Sequence, residues 1–176
     1  MYAALDRTAH AIAWLLAMLG GAILIGIIVL TCASIIGRAL VPLNIGIGPI
    51  RGIYDLTEMG MAAAVFAFLP WCQYKQGHAT VELASALFPR TFDILLSLLF
   101  NSAMTVVAVV GTWRLYLGMQ DKLTYGETTL IAQIPVWYGF AASLVGGCGF
   151  IIVSAFCVLR YARALMRRNT LETGHV

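Results

Sequence analysis

From Ala11 to Gly37 the chain runs 27 residues without an aspartate, glutamate, lysine or arginine. No other feature limits the fold so severely. At about 1.5 Å per residue, roughly 20 helical residues cross a bilayer core. The run is therefore long enough to span a membrane. Backbone polar groups in hydrocarbon must be paired, which leaves helices or a closed barrel. The period-two alternation of a barrel strand is absent. Three more apolar runs follow, at about 56–74, 92–113 and 134–159. The expected fold is an all-α membrane protein, a single domain over residues 1–176 with four transmembrane helices. Arg7 ahead of an apolar stretch is also how a secretory signal begins. An h-region is only about 7–15 residues long, however, so the first run is read as a retained span.

The composition fits that expectation. Only 11% of residues are charged and the mean hydropathy is +0.88, whereas soluble domains carry about 25% charge. The net charge of +3 is small and sits near the ends of the apolar runs. That placement suits anionic headgroups; nucleic acid would need a broad basic face. Cys32, Cys72, Cys148 and Cys157 lie in or beside apolar runs, and none forms a CxxC pair. They point to packing residues, not to a disulfide framework or a zinc site.

Lysine and arginine set the direction of insertion. With the N-terminus cytoplasmic, the inner set is Arg7, Lys75, Arg90, Arg160, Arg163, Arg167 and Arg168. The outer set is Arg38, Arg51, Arg114 and Lys122. Seven against four places both termini in the cytoplasm, with a basic tail over about 160–176.

The span ends carry ordinary helix chemistry. Asp55-Leu-Thr-Glu58 reads as an N-terminal cap with an acid three residues on. Asp93 falls in the first turn of the third span, where the helix dipole favours an anion. Pro135 is expected to cap or kink the start of the fourth span. Pro42, Asn44 and Gly48-Pro49 mark turns in the first loop. Small residues four apart mark faces where helices approach closely. Gly139, Ser143 and Gly147 form one such stripe. Ala33 with Gly37, and Gly60 with Ala64, form two shorter ones.

Catalytic chemistry finds little material. His10, His78 and His175 all lie at or beyond span ends, so haem ligation at depth is not expected, and no cofactor is. No Ser/His/Asp set, HExxH helix or phosphate loop occurs. Intramembrane acids usually mark ion paths; here Glu58 and Asp93 sit within a turn or so of a helix start. The two halves share no pattern of Gly/Pro breaks, so there is no inverted repeat. The chain reads as a membrane-embedded partner with no catalytic or substrate site of its own.

Between the second and third spans lies KQGHATVELASALFPR, residues 75–90. Val81, Leu83, Ala84, Leu87 and Phe88 share one side of a helix, with Glu82 and Ser85 opposite and Pro89 as a stop. A short amphipathic helix over about 80–88, lying in the cytoplasmic interface, is expected. His78 precedes it beside Gly77, so its spacing from Glu82 does not imply a metal site. Bonds to backbone, headgroup or partner are expected instead.

These residues, taken in order, resemble a known family. The order is Glu58 in the second span, Gly77-His78 before an amphipathic stretch, and Pro89-Arg90 before the third span. YGETTLIAQIPVW follows, with Thr129 and Ile134-Pro135-Val136-Trp137 opening the fourth. The pattern resembles the small membrane subunit of tripartite ATP-independent periplasmic (TRAP) transporters, the DctQ-like family, over about residues 10–165. The segment around KQGH departs from it in carrying fewer arginines than is usual there.

The resemblance implies a sodium-gradient-driven importer of organic acids in the bacterial inner membrane. Its partners would be a large multi-span membrane subunit, which holds the substrate and moves as an elevator, and a transient periplasmic substrate-binding protein. This chain would be the static scaffold. Glu58, Gly77, His78, Glu82, Pro135, Trp137, Gly139, Ser143 and Gly147 are then expected to shape the scaffold or touch the large subunit. Arg38, Arg51, Lys75 and Arg90 are expected at phospholipid headgroups or at the binding protein. Two alternatives stay open: a small membrane adaptor of an unrelated complex, and the small subunit of a tripartite tricarboxylate transporter.

Overall fold

The computed structural model describes the backbone of residues 2–43, 50, 52–75 and 90–173, and the side chains of residues 5–42, 50, 52–75 and 96–163. They contain four long helices: α1 (Tyr2–Leu40), α2 (Ile53–Tyr74), α3 (Arg90–Tyr125) and α4 (Trp137–Thr173). A 3-10 turn, Val41–Leu43, follows α1. All four helices are long and apolar enough to cross a membrane. Among the described residues no strand forms beyond an isolated bridge between Thr128 and Pro135. The chain is thus an all-helical, multi-pass membrane protein. The expected interfacial helix at 80–88 lies outside the described residues.

The helices outrun the apolar runs that announce them. Hydropathy marks the part of a helix that prefers lipid; backbone hydrogen bonding continues until a residue breaks it. So α3 runs on from Arg114 to Tyr125, and Gln120 Nε2 donates to the Tyr116 hydroxyl one turn back, at 2.8 Å. In the same way α1 begins well before Ala11 and α4 continues well past Leu159. At the other end α4 starts at Trp137, two residues after Pro135.

α4 is the hub. It packs along α2 on one side and α3 on the other, while α1 lies against α2 and also touches α4. Half of the most apolar stretch of α4 is buried, against 6% for α1 and 11% for α3. The two outer helices therefore turn most of their large apolar side chains outward, among them Leu19, Ile28 and Val29 on α1 and Val106, Val110 and Trp113 on α3. In lipid this exposure carries no hydrophobic penalty, because acyl chains are as apolar as leucine.

The tightest approach is between α2 and α4. A Cβ on Gly146 would lie 2.5 Å from the carbonyl carbon of Phe66 and 2.6 Å from its oxygen. Four residues on from Phe66 is Pro70, buried inside α2, which has no N–H to offer that carbonyl. Gly146 lets α4 close over the backbone at this point, and only glycine fits. On the other face of α2, Gly20 of α1 rests on Ala67 and Ala64, and Gly60 receives Ile27.

The expected stripe on α4 serves two neighbours. Gly139 faces Met59 of α2, whereas Gly147 faces Thr112 of α3. Steps of four residues overshoot a turn, so eight residues rotate the direction by about 80°. On α1, Gly37 is buried but Ala33 is exposed, so that pair does not form one packing face. Near the end that carries both termini, Ala13, Val153 and Cys157 form a small core with Trp71 and Tyr74 packed against it.

Candidate functional site

The end opposite the termini is built around the α3–α4 connection. Gly126 takes a positive φ of 62° and ends α3. The chain then folds back on itself. The Thr129 N–H donates to the Ile134 carbonyl at 2.9 Å, and the Val136 N–H to the Glu127 carbonyl at 3.1 Å. The Thr129 hydroxyl accepts from the Ile134 N–H at 3.1 Å. Gln133, at φ 53°, makes the turn that Pro135 then holds. Lys122 of α3 pairs with Glu127 at the foot of this hairpin.

Asp55 ties the hairpin to α2. One carboxylate oxygen, Oδ2, accepts from the N–H of Ile131 at 3.1 Å and of Ala132 at 3.0 Å. The sequence suggests a capping box at Asp55–Glu58. The helix instead starts at Ile53, after Gly52 in the left-handed region at φ 79°, with no side-chain cap. Asp55 therefore lies inside the first turn and reaches outward to the hairpin. Gly52 is needed twice over: for its φ, and because a Cβ there would sit 2.5 Å from the Ala132 Cβ.

Beneath the hairpin, α2, α3 and α4 enclose a groove of about 210 Å³. Met59, Phe66, Leu115, Val136 and Phe140 form much of its wall, with Gly139 and Ser143 on α4 and Glu58 on α2. Ser143 is buried, and its hydroxyl donates to the Gly139 carbonyl one turn back at 2.8 Å. Trp137 stacks on Tyr138 at the first turn of α4, with ring centroids 4.1 Å apart. Leu130 and Tyr125, on the hairpin side, are 96% and 76% exposed.

Sequence-expected residues thus divide. The structure brings Glu58, Gly139 and Ser143 together in one groove, with Pro135 and Trp137 in and beside the hairpin above it. Gly147 lies two turns along α4 from Gly139, against Thr112. Arg38 is exposed near the end of α1. Lys75 sits at the opposite end of the bundle, its ammonium 5.1 Å from the Trp71 ring centroid. Arg90 is the first residue of α3, and its side chain is outside the described set. Arg51, Gly77, His78 and Glu82 lie outside the described residues.

A second polar cluster occupies the end that carries the termini. Gln73 Nε2 donates to Asn101 Oδ1 at 2.9 Å, linking α2 to α3, and both residues are buried. The Tyr74 hydroxyl donates to Asp6 at 3.2 Å, and the rings of His10, Trp71 and Tyr74 lie within 6.3 Å of one another. Among the described residues no group of three or more His, Cys, Asp or Glu gathers as a metal site.

Sequence reasoning missed Gly52, Asp55 as a tether, Gly146 and the Gln73–Asn101 pair. Gly146 had a signal, because it doubles Gly147 in a Gly-Gly step. The pair had none, since its partners are 28 residues apart in the chain.

No curated protein and no solved structure matches the chain. The family model described as the DctQ component of tripartite ATP-independent periplasmic transporters matches residues 27–168. That stretch takes in the last third of α1, the groove, the hairpin and the whole of α2, and by it this chain belongs to the DctQ component family of those transporters.

Proposed function

We propose that this chain is the static small subunit of a sodium-gradient-driven, binding-protein-dependent importer of organic acids. It anchors a large elevator-type membrane subunit and holds neither substrate nor sodium itself. It sits in the bacterial inner membrane with both termini in the cytoplasm. The hairpin end then faces the periplasm, where a substrate-binding protein docks transiently on the assembly. Glu58, Pro135, Trp137, Gly139, Ser143 and Gly147 serve scaffold shape or contact with the large subunit, as do Gly77, His78 and Glu82 in the cytoplasmic interfacial segment. Arg38, Arg51, Lys75 and Arg90 meet phospholipid headgroups.

The observation that carries the reading is the character of the buried residues. Among the described residues every buried polar side chain is uncharged: Ser34, Gln73, Asn101, Thr112, Ser143 and Ser154. Ion and anion pathways in membranes are usually lined by ionisable groups or broken helices. Here the helices are continuous and closely packed, which suits a support. The outward apolar faces of α1 and α3 supply broad surfaces for lipid and for a larger partner.

The test is purification in mild detergent after expression with the genes beside it. A many-span membrane protein should come down with this chain, and the periplasmic binding protein should join when substrate is supplied. An enzyme or redox protein as the stable companion would favour the adaptor reading instead.

A further inference from the structure

We propose that the tip of the α3–α4 hairpin, Leu130 and Ile131, is a lipid anchor. It inserts where headgroups meet acyl chains, in the leaflet opposite the termini, and so fixes the depth of that end of the bundle. In the orientation proposed above this is the outer leaflet. The inference needs the four spans but no particular partner protein.

Packing between the helices gives the depth. Gly20 of α1 rests on Ala67 and Ala64 of α2, and Gly60 of α2 receives Ile27 and Ile23 of α1. The two helices therefore run antiparallel in a fixed register. Gly52 lies about 12 Å from Gly60 toward the hairpin, which sets it roughly level with Ala33. Ala33 still belongs to the uncharged run of α1. Arg38, the first charge beyond that run, stands about 7.5 Å further out. A Cβ on Gly52 would lie 2.5 Å from the Ala132 Cβ, and Asp55 holds the N–H groups of Ile131 and Ala132. The hairpin is thus folded down across the start of α2, within the thickness that the uncharged run of α1 sets. Tyr54, Tyr125 and Tyr138, all exposed, stand at the nearest turns of α2, α3 and α4. Exposed tyrosines gathered at one level mark a headgroup boundary.

The hairpin is furnished for that medium. An unpaired amide costs more in lipid than in water. Glu127, Thr129, Ile131, Ala132, Ile134 and Val136 each donate their N–H to an acceptor within the chain, and Pro135 has none to donate. From Gly126 to Val136 the one charged side chain is Glu127, and Lys122 pairs with it. Leu130 is 96% exposed and Ile131 56%, so among the described residues both side chains stay largely open. A docking site for a soluble protein carries a polar rim around its apolar centre. This tip is an apolar point whose neighbouring polar groups are already paired. Two apolar side chains on a braced turn suit shallow insertion among lipids.

The test places an environment-sensitive fluorescent amino acid at Leu130 of the full chain. The chain, with any partner that co-purifies, is reconstituted in vesicles of phosphatidylethanolamine and phosphatidylglycerol. The same label at Ile28, on the outer face of α1, and at Ala39, beyond Arg38, supplies two references. Ile28 should respond to a nitroxide deep in the acyl chains, and Ala39 to aqueous iodide. Emission from Leu130 should be blue-shifted from that of Ala39. It should be quenched by a nitroxide near the phospholipid headgroup and lose most of the iodide quenching. With the label moved to Ile131, Leu130→Asp should bring iodide quenching back and Leu130→Met should not. Water-like emission with iodide quenching at Leu130 overturns the inference. Shielding from both iodide and lipid nitroxide, or a tip still shielded with Leu130→Asp, shows that protein covers it and also overturns the inference. Neither result touches the subunit reading, which co-purification tests separately.

Discussion

The Asp55 carboxylate accepts a hydrogen bond from the backbone N–H of Ala132 at 3.0 Å, joining the first turn of α2 to a hairpin 77 residues further along the chain. The same oxygen also holds Ile131. Asp55→Ala should free both amides while leaving the four helices in place. Hydrogen exchange at Ile131 and Ala132 should become about tenfold faster or more, with exchange in the middle of α2 unchanged. Unchanged exchange at both amides would show that the hairpin holds itself.

Gly52 makes a sharper prediction. Its φ is 79°, and a Cβ there would meet the Ala132 Cβ at 2.5 Å. Gly52→Ala should destabilise the purified chain by about 1–3 kcal/mol through strain and crowding. Gly21→Ala, where a Cβ meets nothing within 4 Å, should leave thermal unfolding in detergent unchanged or slightly raised.

The crossing of α2 and α4 is the next test. At Gly146 a Cβ would fall 2.5 Å from the Phe66 carbonyl carbon, which is backbone and cannot swing aside. Gly146→Ala should cost about 1–3 kcal/mol and Gly146→Leu should abolish the monodisperse peak in size exclusion. Gly111→Ala, in open space on α3, is the matched control.

The Gln73–Asn101 bond predicts non-additivity. Asn101→Leu leaves the buried Gln73 amide short of an acceptor, and Gln73→Leu strips a donor from Asn101. Each single change should lower stability by about 0.5–2 kcal/mol. The double change should cost less than the sum of the two, because the bond between these side chains is lost only once. Additive losses would show that the pair does not interact in the membrane.

The spans were legible in the sequence because lipid imposes one requirement on every residue it touches, and long uncharged runs such as 11–37 meet it. Their ends were less so: α3 continues to Tyr125 and α2 begins at Ile53, since helical hydrogen bonding does not stop where hydropathy falls. The groove was half visible. Glu58, Gly139 and Ser143 stood out singly as an acid or as small residues, but their meeting depends on how α2 and α4 cross. That crossing is fixed by Gly146 against the Phe66 carbonyl left by Pro70, a relation between positions 80 residues apart. In the sequence Asp55 has the signature of a cap, as an acid near a helix start usually does; its partners in the structure, Ile131 and Ala132, come from a distant turn.

The central claim, that this subunit supports transport without performing it, is tested most directly in liposomes under an inward sodium gradient. The purified chain alone should accumulate no organic acid, while the chain reconstituted with its large subunit and binding protein should. Uptake by the chain alone, dependent on the cation gradient, would contradict the account.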